Sequence, residues 1–236
     1  MRYFIGISCE EYIEYNNIPY CHNDLILLSE TLRDYCDYEE NNIIYELSYP
    51  GSEYNDPEYW YKKIEEIANK ASRDDTILFY FAGHGMEKDS DAFFLLADSK
   101  PKKENETAIS LHRIQEVLKT ANCSVFLMFD ACHSGVDARN YYALGVDKTS
   151  IDKSWAILAS CSEHESSFPD SSKEQGIFTF YVSDVIKKWE KEKKITIEEL
   201  KIAVADSMEN WCKEKGLKQH PTLNLSLIHI SEPTRL

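Results

Sequence analysis

Thr76-Ile77-Leu78-Phe79-Tyr80-Phe81-Ala82-Gly83-His84-Gly85 is an apolar run that breaks off into glycine, histidine and glycine. The run is too short for a globular helix, and its continuous hydrophobicity suits a strand covered on both faces, as in parallel sheets. Two further runs, Ser124–Phe129 ending at Asp130 and Ser154–Ser160, read the same way. Amphipathic helices are expected between and around them. Leu25, Leu28, Leu32, Tyr35 and Cys36 recur at helical spacing behind Asn23-Asp24, a plausible N-cap. Pro57 suits a helix start before Trp60, Ile64, Ile67, Ala68 and Ala71. Leu111, Ile114, Val117, Leu118 and Ala121 mark a third helix, and Phe178, Tyr181, Val182, Val185 and Trp189 a fourth. Ile197, Leu200, Val204, Met208 and Trp211 mark a fifth, opened by the capping-box pair Thr196 and Glu199. Arg2–Ser8 and Asn42–Leu47 read as strands, Pro221–Leu225 as an edge strand, and Ala92–Ala97 as a sheet extension or a small hairpin. The alternation predicts an α/β fold: a mostly parallel central sheet flanked by helices on both faces. Ligands of such sheets sit beyond the C-terminal ends of the strands.

The chain has 236 residues, enough for one large domain or two small ones. Lys and Arg number 26 against 41 Asp and Glu, a net charge of −15. That balance disfavours nucleic acid, whose binding rests on basic surface, and anionic membrane as partners. No apolar run is long enough to span a bilayer. The seven cysteines are scattered without a CxxC pair, which fits reduced thiols and a cytoplasmic location rather than a disulfide framework. Ser226–Leu236 resembles translated adapter sequence, so 226–236 is expected to be a non-native tail. The expected organisation is one domain over 1–225, with a large part over 1–135, a polar linker over 136–153 and a small part over 154–225.

Two strand ends carry reactive groups. Gly83-His84-Gly85 closes the first run, and Asp130-Ala131-Cys132-His133-Ser134-Gly135 closes the second, with Cys132 48 residues after His84. One helical crossover fits that span, so the two strands are expected as parallel neighbours with His84 and Cys132 at one edge. A thiol of pKa about 8.5 is mostly protonated at neutral pH, and an adjacent imidazole activates it and later protonates a leaving amine. The backbone N–H groups of Gly85 and Cys132 are the candidate oxyanion donors. Alone, a strand-end cysteine is ordinarily a small buried hydrophobe and a histidine between glycines a turn residue; their pairing at matched ends points to chemistry. A Cys132-His133 zinc site has no third and fourth ligand at the usual spacing.

Phe81-Ala82-Gly83-His84-Gly85 followed by Asp130-Ala131-Cys132-His133-Ser134-Gly135 resembles the caspase-like cysteine peptidases, nearest to metacaspases, paracaspases and their bacterial relatives. The resemblance spans about 1–225. It implies a caspase-like fold and a cysteine endopeptidase with a Cys132-His84 dyad, an oxyanion hole at Gly85 and Cys132, and no cofactor. In metacaspases a Cys-x-x-Asp at the first helix and the Asp two before the nucleophile line the S1 pocket; here these are Cys21, Asp24 and Asp130. Two carboxylates suit a P1 Arg, then Lys, so protein or peptide substrates with a basic P1 are the expected partners. For Asp24 the alternative is a helix N-cap, for Asp130 a strand-end turn; Asp98 either shapes the site or caps a turn. Arg139 and Lys148, in the linker where some relatives cut themselves, are candidate self-cleavage sites. The sequence departs from the metacaspase pattern at Ala82, often Ser. Thr107-Ala108-Ile109-Ser110 and Arg139 replace the acids of a metacaspase-type calcium site, so none is expected. Glu163 and Glu165 follow the third run without an assignable role, and Cys161 reads as a buried thiol. A rival function is a caspase-like scaffold without catalysis, which has no chemical need for both His84 and Cys132. Oligomeric state is open.

Overall fold

The computed structural model describes residues 1–131, 154–162, 165–189 and 195–225. The chain begins with β1 (Arg2–Cys9), α1 (Cys21–Tyr35), β2 (Ile43–Ser48), α2 (Pro57–Lys70) and β3 (Thr76–Gly83). A small meander follows: β4 (Gly85–Lys88), β5 (Asp91–Leu95), the single turn α3 (Glu104–Thr107) and β6 (Ala108–Ser110). Then come α4 (Leu111–Leu118), β7 (Ser124–Ala131), β8 (Trp155–Ala159), β9 (Pro169–Asp170) and β10 (Gln175–Gly176). The helices α5 (Ile177–Lys188) and α6 (Ile197–Lys215) and the strand β11 (Thr222–Leu225) complete it.

Six strands form the central sheet in the order β11-β8-β7-β3-β1-β2, parallel throughout except for β11, which runs antiparallel to β8 at one edge. Side chains alternate between two cores, as strand geometry demands. Ile5, Ile77, Phe79, Val125, Leu127 and Phe129 face α2 and α4. Phe4, Leu78, Tyr80, Phe126, Met128 and Leu158 face α1, α5 and α6. With helices on both faces the central strands must be apolar on both sides, which is why they read as continuous runs rather than alternating ones. Asp56 caps α2 through the Glu58 N–H (3.0 Å), behind Pro57. The Thr196–Glu199 capping box opens α6, and Gly216 closes it in the left-handed conformation at φ 68°.

Several expectations are corrected. Of the two readings of Ala92–Ala97 the hairpin holds and the sheet extension does not: β5 pairs antiparallel with β4 and β6 in a separate three-stranded sheet. Asp24 is not an N-cap. Helix α1 starts at Cys21 behind Tyr20, and the Asp24 N–H already donates to the Tyr20 carbonyl (3.0 Å), which leaves the carboxylate free to point elsewhere. Trp189, Ala71 and Ala121 fall at or just beyond helix ends while keeping their apolar contacts.

Phe129 is fully buried on β7, its ring stacked on Phe94 (centroids 4.3 Å apart) and tilted against Phe79 (6.2 Å). Phe129→Ala should lower unfolding free energy by about 3–5 kcal/mol, measured by urea denaturation. A loss below 1 kcal/mol would mean that this layer collapses to fill the space.

Candidate active site

Strands β3 and β7 pair in register to their C-terminal ends, Ala82 opposite Asp130 and Gly83 opposite Ala131. His84 is the first residue beyond β3, as Cys132 is the first beyond β7. Cys132 itself lies outside the described residues, as do Arg139, Lys148 and Glu163.

The surroundings of His84 are well defined. Its Nε2 lies 2.7 Å from the Asn16 carbonyl oxygen. A carbonyl only accepts, so Nε2 carries the proton and Nδ1 is the basic nitrogen of the neutral ring. Tyr12 and Tyr15 flank the imidazole, with centroids at 4.8 and 6.3 Å. The His84 backbone N–H donates to Tyr12 Oη (2.8 Å), and that hydroxyl donates to the Cys9 carbonyl (3.1 Å). The turn rests on Gly83, whose φ of 155° disfavours a side chain and whose β-carbon would stand 2.7 Å from Tyr12 Oη. The loop after β1 thus orients the ring, through an irregular stretch held by Ile13 N–H to Ala97 O (3.0 Å) and Ile18 N–H to Glu10 O (2.9 Å). Gly85 opens β4, half-buried and paired with Phe94.

The acids converge. Asp130 ends β7 on the face that meets α1 and α5, and Asp24 reaches the same place from the first turn of α1. Asp24 is 3% exposed and Asp130 6%. Asp130 is well supplied with donors: Ser167 Oγ to Oδ1 (2.6 Å), and Thr179 N–H (3.2 Å) and Oγ1 (2.7 Å) to Oδ2. Asp24 receives only the Gly176 N–H on Oδ1 (2.8 Å), and among the described residues its Oδ2 has no hydrogen-bond partner. Burial, and then the charge of Asp130, push the Asp24 carboxyl well above its ordinary range. Burial raises Asp130 too, against the opposing pull of its Ser167 and Thr179 donors. Both acids line a small open recess together with Ile18, Cys21, Phe168 and Gly176. Cys21 opens α1 at its wall, and burial followed by the two carboxylates pushes its thiol up, so it stays protonated and serves as a wall rather than a nucleophile.

The other singled-out residues do structural work. Asp98 accepts from the Gly51 N–H (3.0 Å) and fixes a turn away from the recess. Glu165 accepts from His220 N–H (2.8 Å) and meets its Nδ1 at 2.6 Å, tying the loop after β8 to the approach to β11. Cys161 is buried, its Sγ 3.3 Å from the Glu165 carbonyl. Tyr12, Asn16, Ser167, Gly176 and Thr179 were not expected; only the rule that ligands gather at strand ends hints at the first two. Among the described residues no group of three or more His, Cys, Asp and Glu is placed to hold a metal ion, and no helix is long and apolar enough to cross a membrane.

A family model described as "Caspase domain" matches residues 2–229. The crystal structure of protein GSU0716 from Geobacter sulfurreducens superposes with a TM-score of 0.66 at 13% identity, over 95% of this chain and 93% of that one, a likeness of fold. No curated protein matches the chain.

A carboxyl whose folded pKa is raised contributes stability that is complete below its ordinary value of 3.8 and is lost as the pH rises through the raised value. Asp24→Asn should therefore match the wild type in Tm near pH 3 and exceed it by a few degrees at pH 7, on the order of 1 kcal/mol for a domain of this size. Melting curves across pH 3–8 check this. A variant less stable than wild type at pH 7 would show that the carboxylate is neutralised in the free protein.

Proposed function

The chain belongs to the caspase-domain family of cysteine peptidases, and we propose that it is a cysteine endopeptidase that cleaves proteins or peptides after basic residues, arginine before lysine. The observation that carries the specificity is the pair Asp24 and Asp130, buried side by side in an open recess next to the strand end that bears His84. Two carboxylates, one with an oxygen lacking any donor among the described residues, leave the free recess short of positive charge. A P1 guanidinium supplies both the charge and several N–H donors in a planar fork; an ammonium supplies the charge with less directed bonding. An acidic P1 would add a third negative charge and is disfavoured.

In the proposed reaction Cys132 attacks the carbonyl carbon of the basic residue. The developing oxyanion is met by the N–H groups of Gly85 and Cys132. His84, with its proton on Nε2 pinned to Asn16, receives the thiol proton on Nδ1 and passes it to the leaving amine. Water then hydrolyses the thioester, with Nδ1 as base. Tyr12 and Tyr15 hold the ring plane so that Nδ1 faces the reaction throughout. The six described cysteines are buried and form no disulfide with one another, which supports a reducing, cytoplasmic setting. Self-cleavage after Lys148, or after Arg139, remains part of the proposal and rests on sequence alone.

Cys132→Ala should abolish hydrolysis of P1-arginine peptides, and His84→Ala should reduce it by about 1,000-fold or more, both with wild-type melting temperatures. A scaffold would show no turnover in the wild type, and turnover retained in Cys132→Ala would end the mechanism. A peptide library should return P1 arginine first; preference for P1 aspartate would refute the pocket. Incubated wild-type protein should acquire a new N-terminus at Thr149 or Asn140 that Cys132→Ala lacks. A chain that stays intact while turning over peptides would dismiss self-processing alone.

A further inference from the structure

Gln219 lies between α6 and β11, is 2% exposed, and commits its whole amide to one strand end and the loop behind it. Its Oε1 accepts from the Phe168 N–H (3.0 Å), and its Nε2 donates to the Ser160 carbonyl (3.1 Å) and to Ser167 Oγ (3.1 Å). The orientation of the amide is unambiguous, because a backbone N–H only donates and a carbonyl only accepts. One amide proton therefore points at Ser167 Oγ. A serine hydroxyl rotates to suit its neighbours, and with a donor on its oxygen it turns its own hydrogen to the nearest acceptor. That acceptor is Asp130 Oδ1 at 2.6 Å, the short range of a hydroxyl on a carboxylate. A chain of donors thus runs from Gln219 through Ser167 to the acid, with Ser167 on the recess wall and Gln219 behind it.

We propose that Gln219 is a positioning residue of the peptidase: its buried amide commits the Ser167 hydroxyl to Asp130 and so fixes that acid in place as an acceptor-only, negatively charged group. The proposal rests on the basic-P1 reading above only for what that charge meets. Gln219 is also a tether, since through Ser160 and Phe168 it ties the end of β8 to the following loop, and the adjacent pair His220 and Glu165 clamps the same loop farther out. A tether needs one donor and one acceptor; the second amide proton goes instead to a hydroxyl aimed at an acid. A matching arrangement serves the other oxygen, where Tyr80 Oη lies 2.7 Å from Thr179 Oγ1, which donates to Asp130 Oδ2 (2.7 Å). Burial raises the Asp130 carboxyl, and the Ser167 bond is the foremost of the influences that lower it. Once that hydroxyl is free to rotate away, the acid loses both a support of its charge and a restraint on its position. Satisfied buried networks of this kind rigidify what they enclose.

Two measurements on the whole protein test this. In the first, the two Nε2 proton resonances of Gln219 are compared between the nitrogen-15-labelled wild type and Ser167→Ala. The relay predicts that the proton facing Ser167 moves upfield while its partner on the Ser160 carbonyl keeps its shift. A pair that does not respond would overturn the relay, with no change made at Gln219 itself. In the second, kcat and KM for a P1-arginine peptide are measured for Ser167→Ala, Gln219→Met and the double variant, with circular dichroism as the folding check. The rate of Cys132 alkylation by iodoacetamide is followed alongside, since it needs the dyad and not Asp130. Each single variant should lose ~10-fold or more in kcat/KM, carried by KM, with alkylation unchanged. On top of Gln219→Met, Ser167→Ala should cost less than ~3-fold, because the relay is already broken. Losses that multiply, or alkylation that slows with them, would reduce Gln219 to a tether and overturn the proposal. Unaltered kcat/KM in Ser167→Ala would overturn it whether or not Gln219→Met folds. A wild type that turns over other peptides but none with a basic P1 would overturn the basic-P1 reading, and the resonance shift would still decide the relay.

Discussion

The parallel pairing of β3 with β7 sets everything that follows. Because side chains alternate along a strand, the register that puts Ala82 beside Asp130 also commits Asp130 to the α1–α5 face. A slip by one residue would turn Asp130 toward the opposite core, among Phe79, Phe94 and Phe129, where no donor could meet it. The register is held by packing on both faces: the side chains of the two strands enter the two cores at alternate positions, so a slipped ladder would send each one into the core shaped for its neighbours. Hydrophobic packing on one face thus places a charge on the other.

The recess runs against the grain of folding. Burying two carboxylates within reach of each other opposes stability, and the molecule offsets that only in part. Ser167 and Thr179 serve Asp130, whereas Asp24 has a single backbone donor. The imbalance is concentrated at Asp24 Oδ2. His84 shows the opposite arrangement, with its backbone N–H, ring face and Nε2 all engaged, which leaves Nδ1 as the ring nitrogen with a lone pair available to chemistry. One part of the site is tense and the other fully satisfied.

The sheet was legible because strands covered on both faces have to be apolar throughout, and Thr76–Phe81 and Ser124–Phe129 are. The helices were legible from their spacing and from strong caps such as Thr196 with Glu199. Asp24 was misread as a possible cap because Asn23-Asp24 before an apolar stripe looks like a helix start, while the actual start uses Tyr20 in a left-handed turn that carries no compositional signal. Asn16 acts through a backbone carbonyl, which any residue possesses, so no reading of side chains could find it. Gly176 acts through its backbone N–H on Asp24, and its hairpin is two residues per strand, below the length at which periodicity means anything.

The order of the pieces along the chain has a further meaning for the timing of synthesis. His84, Cys132, Asp24 and Asp130 are all made before Ser167, Gly176 and Thr179, the residues that brace the acids and shape the recess. A nascent chain emerging from the ribosome carries His84, Cys132 and both acids first and the residues that brace the acids last. Until Thr179 has left the tunnel, Asp130 lacks the two donors that Thr179 supplies and the recess is not closed. The braced recess is a property of the finished polypeptide, delayed relative to the acids themselves by the time needed to translate about one supersecondary unit.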